Sequence, residues 1–214
     1  MLVFQELKPF FQQIMRYVGN GYTECQISTI PEKKRYKVPH IDAKLKKRYK
    51  SDLTQGQRQY RRKKGQCNYA VLRYRDFCYL VLKSKGKDET GEKWNSIYRT
   101  PIPVGSHLVL ELLKDERGRN TVKVEKKAWQ DIRSAVLLSI EKRAGARFHG
   151  EIGKVYNLSK VLPYRGINLQ VSSLLKAVKQ AQKEHGTKWT VPVFFSKKKP
   201  RDLRGLRTWG SGEV

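Results

Sequence analysis

Acidic residues are scarce in this chain of 214 residues: 19 Asp and Glu stand against 46 Lys and Arg. The formal net charge is therefore +27, and the sequence pI is about 10.2. A surface this positive repels itself unless a polyanion neutralises it. Nucleic acid is the expected polyanion, because each phosphate contacted releases a condensed counterion. An anionic membrane is disfavoured, because no basic segment carries the wide apolar face of an interfacial helix.

Cysteine and long apolar runs are also scarce. Cys25, Cys67 and Cys78 are odd in number and have no CxxC spacing, so the sequence supports neither a disulfide framework nor a zinc knuckle. We expect them to be buried free thiols. The longest apolar runs are only a few residues, which predicts no membrane span, and residues 1–6 lack the order of a signal peptide. These features predict an intracellular protein, cytoplasmic or nucleoid-associated.

Signatures of catalysis and of cofactor binding are missing. The sequence has no GxxxxGK[ST] loop, no GxGxxG after a strand and no GxSxG elbow. Its four histidines are scattered, and no RRM, KH or zinc-finger signature is present. We therefore expect no cofactor. The expected function is non-catalytic binding of RNA or DNA as a subunit of a ribonucleoprotein or of a plasmid-type or phage-type DNA complex, with other protein subunits as further partners.

Apolar periodicity predicts an α+β fold, in which a mixed or antiparallel sheet is covered by three longer helices. The helices are expected at residues 4–18, 128–143 and 168–185. Strands are expected at residues 22–30, 95–100, 108–113, 121–126 and 189–195, and a hairpin at 68–82. The glycine-containing connector 144–166 is predicted to be a structured loop. Residues 1–196 are expected to form one domain, followed by a basic C-terminal arm at 197–214.

Residues 33–64 form a strongly basic segment, with 14 Lys and Arg and only two acids. Two short helices fit this segment, the first over residues 41–51. The second begins at Thr54, where Gln57 completes a capping-box pattern, and ends at Gly65.

The second basic helix carries three arginines, Arg58, Arg61 and Arg62, on one broad face beside Tyr60. A solvated helix face usually mixes charges of both signs, and this one has no compensating acid. We interpret the face as a phosphate-binding surface.

The predicted hairpin at 68–82 turns near Arg75 and Asp76 and is the strongest strand signal in the chain. Read as one strand instead, it would place two arginines among aromatics on a single face, an arrangement suited to base stacking and phosphate contacts. The members of that face are Tyr69, Arg73, Arg75, Phe77 and Tyr79. The alternative is that the aromatics are half-buried residues of the sheet.

The predicted nucleic-acid-binding residues come from the basic segment, the hairpin and the C-terminal arm. They are Lys33, Lys34, Arg35, Lys46, Lys47, Arg48, Arg58, Arg61, Arg62, Lys63, Lys64, Arg73, Arg75, Lys197, Lys198, Lys199, Arg201, Arg204 and Arg207.

One set of residues offers an enzymatic alternative. Asp115 stands at the end of a predicted strand, and Glu125 and Lys127 share a face of the predicted returning strand. This pattern resembles the PD-(D/E)xK families of metal-dependent nucleases. The resemblance implies that Asp115 and Glu125 hold Mg²⁺ and that Lys127 helps to activate water. It covers residues 115–127 only, and a surface hairpin with alternating charges explains the same pattern.

The charge density generates the first prediction. Binding to a non-specific oligonucleotide should weaken steeply with salt, because many phosphates are neutralised in the complex. Titrations from low to physiological salt measure the effect. A flat response, or no binding to RNA or DNA at low salt, would contradict the interpretation.

Overall fold

The computed structural model describes residues 1–105 and 107–192, and the chain there is α+β, as predicted. The strands are β1 (Leu2–Phe4), β2 (Tyr22–Thr29), β3 (Tyr69–Tyr74), β4 (Cys78–Ser84), β5 (Asn95–Ser96), β6 (Ile102–Pro103), β7 (Val109–Lys114) and β8 (Asn120–Val124). The α-helices are α1 (Leu7–Gly19), α2 (Val38–Tyr49), α3 (Gln55–Lys63), α4 (Lys126–Glu141), α5 (Gly145–Val161) and α6 (Arg165–His185). Two 3₁₀-helices lie at Glu32–Lys37 and Ile97–Arg99.

The strands form two sheets where the sequence suggested one. The first has five strands in the order β1-β3-β4-β2-β5 and is mixed, because β1 runs parallel to β3. The second is antiparallel, in the order β6-β7-β8. The chain passes from one sheet to the other through β5, which is two residues long, and the 3₁₀-helix that follows it. The hairpin prediction is confirmed, because β3 and β4 pair antiparallel around a turn at residues 75–77.

Helix α1 covers one face of the first sheet. Phe10, Phe11, Ile14 and Val18 recur at the spacing of one helix face, and all four are buried. The prediction that this helix begins at residue 4 is wrong. Residues 2–4 pair with β3 instead, and the apolar pattern of so short an edge strand merges into that of the helix.

Helix α2 covers the opposite face of the first sheet. Val38 and Tyr49, at the two ends of α2, are buried in a cluster with Tyr69, Val71 and Val81 from β3 and β4. Alternate residues along these strands face α1 instead. The β3–β4 hairpin is therefore covered on both faces.

The basic segment folds as two helices, as predicted, with shifted bounds. The first, α2, begins at Val38 and follows directly from the 3₁₀-helix Glu32–Lys37. The capping box that begins α3 is confirmed: Thr54 Oγ1 accepts from the Gln57 N–H, and the Gln57 side chain accepts from the Thr54 N–H at 2.8 Å. The capping box that predicted the start of this helix therefore stabilises its N-terminus in the structure.

Helices α4, α5 and α6 pack beside the second sheet. The Gln170 side chain, on α6, accepts from the Val124 N–H and donates to the Val124 carbonyl, both at 2.8 Å. The amide thereby occupies the outer edge of β8. Gly166 permits this close approach, because a Cβ there would lie 2.5 Å from the Val122 carbonyl oxygen. One hydrophobic cluster joins both sheets to α1, α4, α5 and α6.

The prediction of a loop at residues 144–166 is wrong, because most of this connector is helix α5. Phe148, Ile152 and Val155 are buried at helical spacing against the neighbouring helices. Each interior glycine disfavours a helix by about 1 kcal/mol relative to alanine. Burial of the apolar stripe overrides that local preference.

Several strand predictions are shorter or absent in the structure. The strand expected at 95–100 is reduced to β5. The strand expected at 121–126 ends at Val124, because Glu125 is the N-cap of α4 and accepts from the Ala128 N–H at 3.0 Å. Residues 189–192 are not a strand, and residues 193–195 lie outside the described residues.

The cysteines are buried free thiols, as expected. Burial raises the pKa of Cys25 to about 11 and that of Cys78 to about 12. No helix in residues 1–105 and 107–192 is long and apolar enough to cross a membrane.

Candidate nucleic-acid interface

Arg58 points inward, although the sequence suggested that it faces a ligand. Its Nε donates to the Leu53 carbonyl at 3.1 Å, and its Nη2 donates to the Ser51 carbonyl at 2.8 Å. Its Nη1 donates to the Tyr69 carbonyl at 3.3 Å and to Tyr22 Oη at 3.2 Å. A guanidinium has five N–H groups, so four of them are engaged. Arg58 therefore fastens α3 to the first residues of β2 and β3, Tyr22 and Tyr69.

Arg61 is also engaged by the protein. Its Nε donates to the Cys67 carbonyl at 3.2 Å, and its Nη2 lies 3.1 Å from Glu89. Only 12% of its side chain is exposed, and Glu89 also pairs with Lys50 at 3.4 Å. We call residues 85–94, which include Glu89, the acidic loop. Of the three arginines assigned to phosphate binding on α3, only Arg62 is exposed and without an ion pair in the described chain.

The acidic loop also holds α2 and its aromatic cluster. Glu92 pairs with Arg48 and accepts from Tyr49 Oη at 2.7 Å. Arg48 was predicted to bind nucleic acid, but its charge is therefore met by a carboxylate of the protein. The compensating acids missing from the basic segment lie in this loop.

Asp88, in the same loop, accepts from four donors. Tyr69 Oη, Thr90 Oγ1 and the Thr90 N–H donate to its Oδ1, and Trp94 Nε1 donates to its Oδ2 at 2.7 Å. Partial burial disfavours the charged form, but these hydrogen bonds hold the pKa of Asp88 well below its usual range. Their contribution to stability is therefore present above the ordinary carboxyl pKa and is lost as the pH falls towards the lowered value.

The two arginines of the hairpin are held in the protein as well. Arg73 is 12% exposed and lies between two carboxylates, with Nε 3.3 Å from Asp42 and Nη1 2.6 Å from Asp76. Arg75 donates from Nε to the Gln5 carbonyl at 2.8 Å. This contact fastens the chain after β1 to the β3–β4 turn.

The hairpin aromatics follow the alternative reading, in which they belong to the sheet. Tyr69 and Tyr79 are buried beneath α2, and Tyr79 Oη donates to Asp42 at 2.7 Å. Phe77 is partly buried against the main core. The single-strand alternative, in which these rings share an exposed face with Arg73 and Arg75, is therefore wrong, because the chain turns at residue 75 and α2 covers the hairpin.

Nine cations of residues 33–64 have neither an ion pair nor a backbone carbonyl partner within the described chain. They are Lys33, Lys34, Lys37, Lys44, Lys46, Lys47, Arg62, Lys63 and Lys64. We call this set the unpaired cations. All are exposed on the 3₁₀-helix, α2 and α3. Arg35, from the predicted set, pairs with Glu32 at 3.2 Å.

Two tyrosines lie among the unpaired cations. Tyr36 is 76% exposed and Tyr60 is 61% exposed. Lys37 Nζ lies 5.3 Å from the centre of the Tyr36 ring, and Lys64 Nζ lies 5.6 Å from that of Tyr60. The sequence pattern places Tyr60 beside the arginines of α3, whereas Tyr36 was not among the predicted residues. The signal in the sequence was an aromatic with Lys or Arg on both sides.

The residues that resemble a nuclease centre are not brought together. The pairing of Lys114 with Asn120 and of Leu110 with Val124 places Asp115 and Glu125 beyond opposite ends of the β7–β8 ladder. Val109, whose carbonyl accepts from the Glu125 N–H, lies six residues before Asp115. At about 3.4 Å per residue, roughly 20 Å of strand separates the two acids. Two carboxylates that share one Mg²⁺ must each place an oxygen within about 2.1 Å of it. Lys127 lies on α4 rather than on a strand, so the predicted alternation with Glu125 is also wrong.

Each of the two carboxylates has local partners. Asp115 accepts from the Arg119 side chain at 2.9 Å and from the N–H groups of Arg117 and Arg119, which lowers its pKa. The N–H groups of Lys127 and Ala128 lower the pKa of Glu125. Asp115 therefore stabilises the turn between β7 and β8, and Glu125 caps the N-terminus of α4.

Glu125 and Lys127 line a cleft of about 750 Å³ between β7, α4 and α5, which also includes Asp131 and Glu151. Asp115 is not among its lining residues. In the described part of the chain, no group of three or more His, Cys, Asp and Glu side chains could hold a metal ion.

The six predicted ligands of the C-terminal arm, at residues 197–207, lie outside the described residues. Comparisons with models of known protein families, with curated proteins and with solved structures found no match.

The contrast between Arg58 and Arg62 generates the second prediction. Arg58→Ala should lower the free energy of unfolding by about 2–3 kcal/mol, because three carbonyls lose a charged donor. Arg62→Ala, one turn away, should change it by no more than about 0.5 kcal/mol, since Arg62 is exposed and unpaired. Urea denaturation of both variants measures the difference. Equal effects would contradict the structural role of Arg58.

Proposed function

We propose that the protein binds nucleic acid through the exposed surface of the 3₁₀-helix Glu32–Lys37, α2 and α3. The observation that carries the proposal is the exposure of Tyr36 and Tyr60, each among unpaired cations. Exposure of a large aromatic ring to water is unfavourable when nothing binds to it. A ring beside several cations can stack on a nucleotide base while the cations contact the phosphate.

The distribution of charge supports this surface. Glu89 pairs with Lys50 and Arg61, and Glu92 pairs with Arg48. The unpaired cations have no such ion pair within the described residues, and their mutual repulsion is relieved by a polyanion. Each phosphate contacted would release counterions, which adds to the free energy of binding.

The tyrosines favour unpaired nucleotides as the ligand. Bases in a duplex stack on one another, whereas bases in single strands, loops and ends can stack on a protein ring. Lys37 and Lys64 lie near enough to their neighbouring rings to contact the phosphate of a nucleotide stacked there. We therefore propose single-stranded DNA, or unpaired regions of RNA, as the ligand class.

The proposal is one of binding and not of catalysis, because Asp115, Glu125 and Lys127 lack a shared centre. The cellular role that accords with it is that of a subunit in a ribonucleoprotein, or in a plasmid-type or phage-type DNA complex.

The two tyrosines generate the third prediction. Tyr36→Ala and Tyr60→Ala should each weaken binding of a single-stranded oligonucleotide by about 1–3 kcal/mol, the usual contribution of one stacked base. The corresponding changes to Phe should retain most of the affinity, because the ring is kept. The dependence of affinity on salt should stay unchanged in all four variants, because no charge is removed. Fluorescence anisotropy with a labelled oligonucleotide measures each effect.

A matched control removes a large exposed side chain elsewhere. Leu169, on α6, is 52% exposed, and Leu169→Ala should leave binding unchanged. Full affinity in the double variant Tyr36→Ala, Tyr60→Ala would refute the proposed interface.

A further inference from the structure

A polar cleft of about 440 Å³ lies between α1 and α3, at the edge of the proposed interface. Arg16 from α1 and Arg62 from α3 line it on opposite sides, and Tyr22 and Arg58 also contribute to it. Among the residues that the structure describes, no aspartate or glutamate lines it. Acids are scarce in this protein, and many of them pair with its own cations. A cleft that is lined by three arginines and by no described acid therefore favours binding of an anion.

Arg58 supplies charge that the protein leaves uncompensated. Its four acceptors are three carbonyls and a tyrosine hydroxyl, all neutral. Within the described residues it has no ion pair with a carboxylate. A partly buried cation with only neutral partners strengthens the attraction of its surroundings for an anion. One of its N–H groups remains unassigned among the five that a guanidinium carries.

Arg16 and Arg62 are exposed and likewise without an ion pair in the described chain. Since they come from different helices, they can contact an anion from two directions. Guanidinium groups bind phosphate through paired hydrogen bonds, which suits a phosphate more than a halide or a single carbonyl.

The remaining lining residues match a nucleoside. Carboxamides come from both helices, and each offers a donor and an acceptor to a base edge or a sugar hydroxyl. These are Gln13, Asn20, Gln55 and Gln59. Tyr17 lines the cleft as well, with its ring centre 5.0 Å from that of Tyr22. The volume falls within the usual range for a small-molecule site, about 300–1,000 Å³.

We propose that this cleft binds the phosphate monoester of a nucleotide, with Arg16 and Arg62 as its principal ligands. Such a group occurs at the phosphorylated end of a nucleic-acid strand and in a free nucleotide. The inference rests on the proposed function for the identification of the anion as a nucleic-acid phosphate. The cleft then gives the protein a preference for strand ends that the exposed surface alone does not supply.

The test compares one labelled single-stranded oligonucleotide with a 5′-phosphate, with a 3′-phosphate and with neither, by anisotropy at fixed salt. The full-length protein should bind one phosphorylated form about tenfold more tightly than the unphosphorylated form, as expected for one or two charge-assisted hydrogen bonds. The double variant Arg16→Gln, Arg62→Gln should lose that preference. The control Lys176→Gln, Lys179→Gln removes the same charge from α6 and should keep it.

A competition with a nucleoside monophosphate separates the two sources of the phosphate. If the oligonucleotide forms bind equally but the nucleotide binds the wild type and not the Arg16, Arg62 variant, the cleft takes free nucleotides. The cleft proposal is overturned, and the proposed function is kept, if the unphosphorylated oligonucleotide binds but there is neither a preference for a phosphorylated form nor binding of the nucleotide.

If the nucleotide binds and no oligonucleotide does, the cleft proposal is supported and the proposed function is refuted. Should the double variant unfold, the single variant Arg62→Gln replaces it, and an undiminished preference there overturns the proposal.

Discussion

The contact between the acidic loop and the two basic helices offsets part of the charge repulsion that opposes folding of this strongly basic chain. Asp88 binds the aromatic cluster beneath α2, Glu89 bridges Lys50 and Arg61, and Glu92 pairs with Arg48. These carboxylates lie in a ten-residue loop after β4, so they reach the ends of both helices from one side. Without them, Arg48, Lys50 and Arg61 would have no ion pair within the described chain. The loss would cost most at Arg61, whose side chain is 12% exposed, because a partly buried charge is strongly unfavourable when unpaired.

The same contact divides the basic residues into two groups. Those whose side chains turn towards the sheet meet a carboxylate or a carbonyl, as Arg58 and Arg61 do. The unpaired cations have no such partner within the described residues, and Tyr36 and Tyr60 lie among them. Helix α6 also carries Lys176, Lys179 and Lys183, which have no ion pair within the described chain, and no exposed aromatic side chain of the described residues accompanies them. The combination of exposed ring and unpaired charge is what distinguishes the proposed interface from a basic surface in general.

Local sequence rules predicted the elements whose signals are local. The capping box of α3, the apolar stripe of α1 and the turn at Arg75 are contained within a few residues, and each is present in the structure. Helix α5 was not predicted, because its glycines lower the local preference for a helix, and burial of Phe148 and Ile152 compensates for that loss.

The orientation of α3 was not predicted for a different reason. Helical periodicity gives the residues that share a face, but it does not tell which face packs, so Arg58 and Arg61 were assigned to solvent. Charge counting within residues 33–64 had the same limit, since the compensating acids lie more than twenty residues further along the chain.

Contact between the unpaired cations of residues 33–64 and the nucleic acid is the central claim. Acylation of lysines by a small reagent, read by mass spectrometry with and without a saturating single-stranded oligonucleotide, tests it residue by residue. The account predicts that the oligonucleotide protects Lys33, Lys34, Lys37, Lys44, Lys46, Lys47, Lys63 and Lys64. It predicts unchanged reactivity at Lys176, Lys179 and Lys183. Protection confined to α6, with the lysines of the 3₁₀-helix, α2 and α3 still reactive, would contradict it.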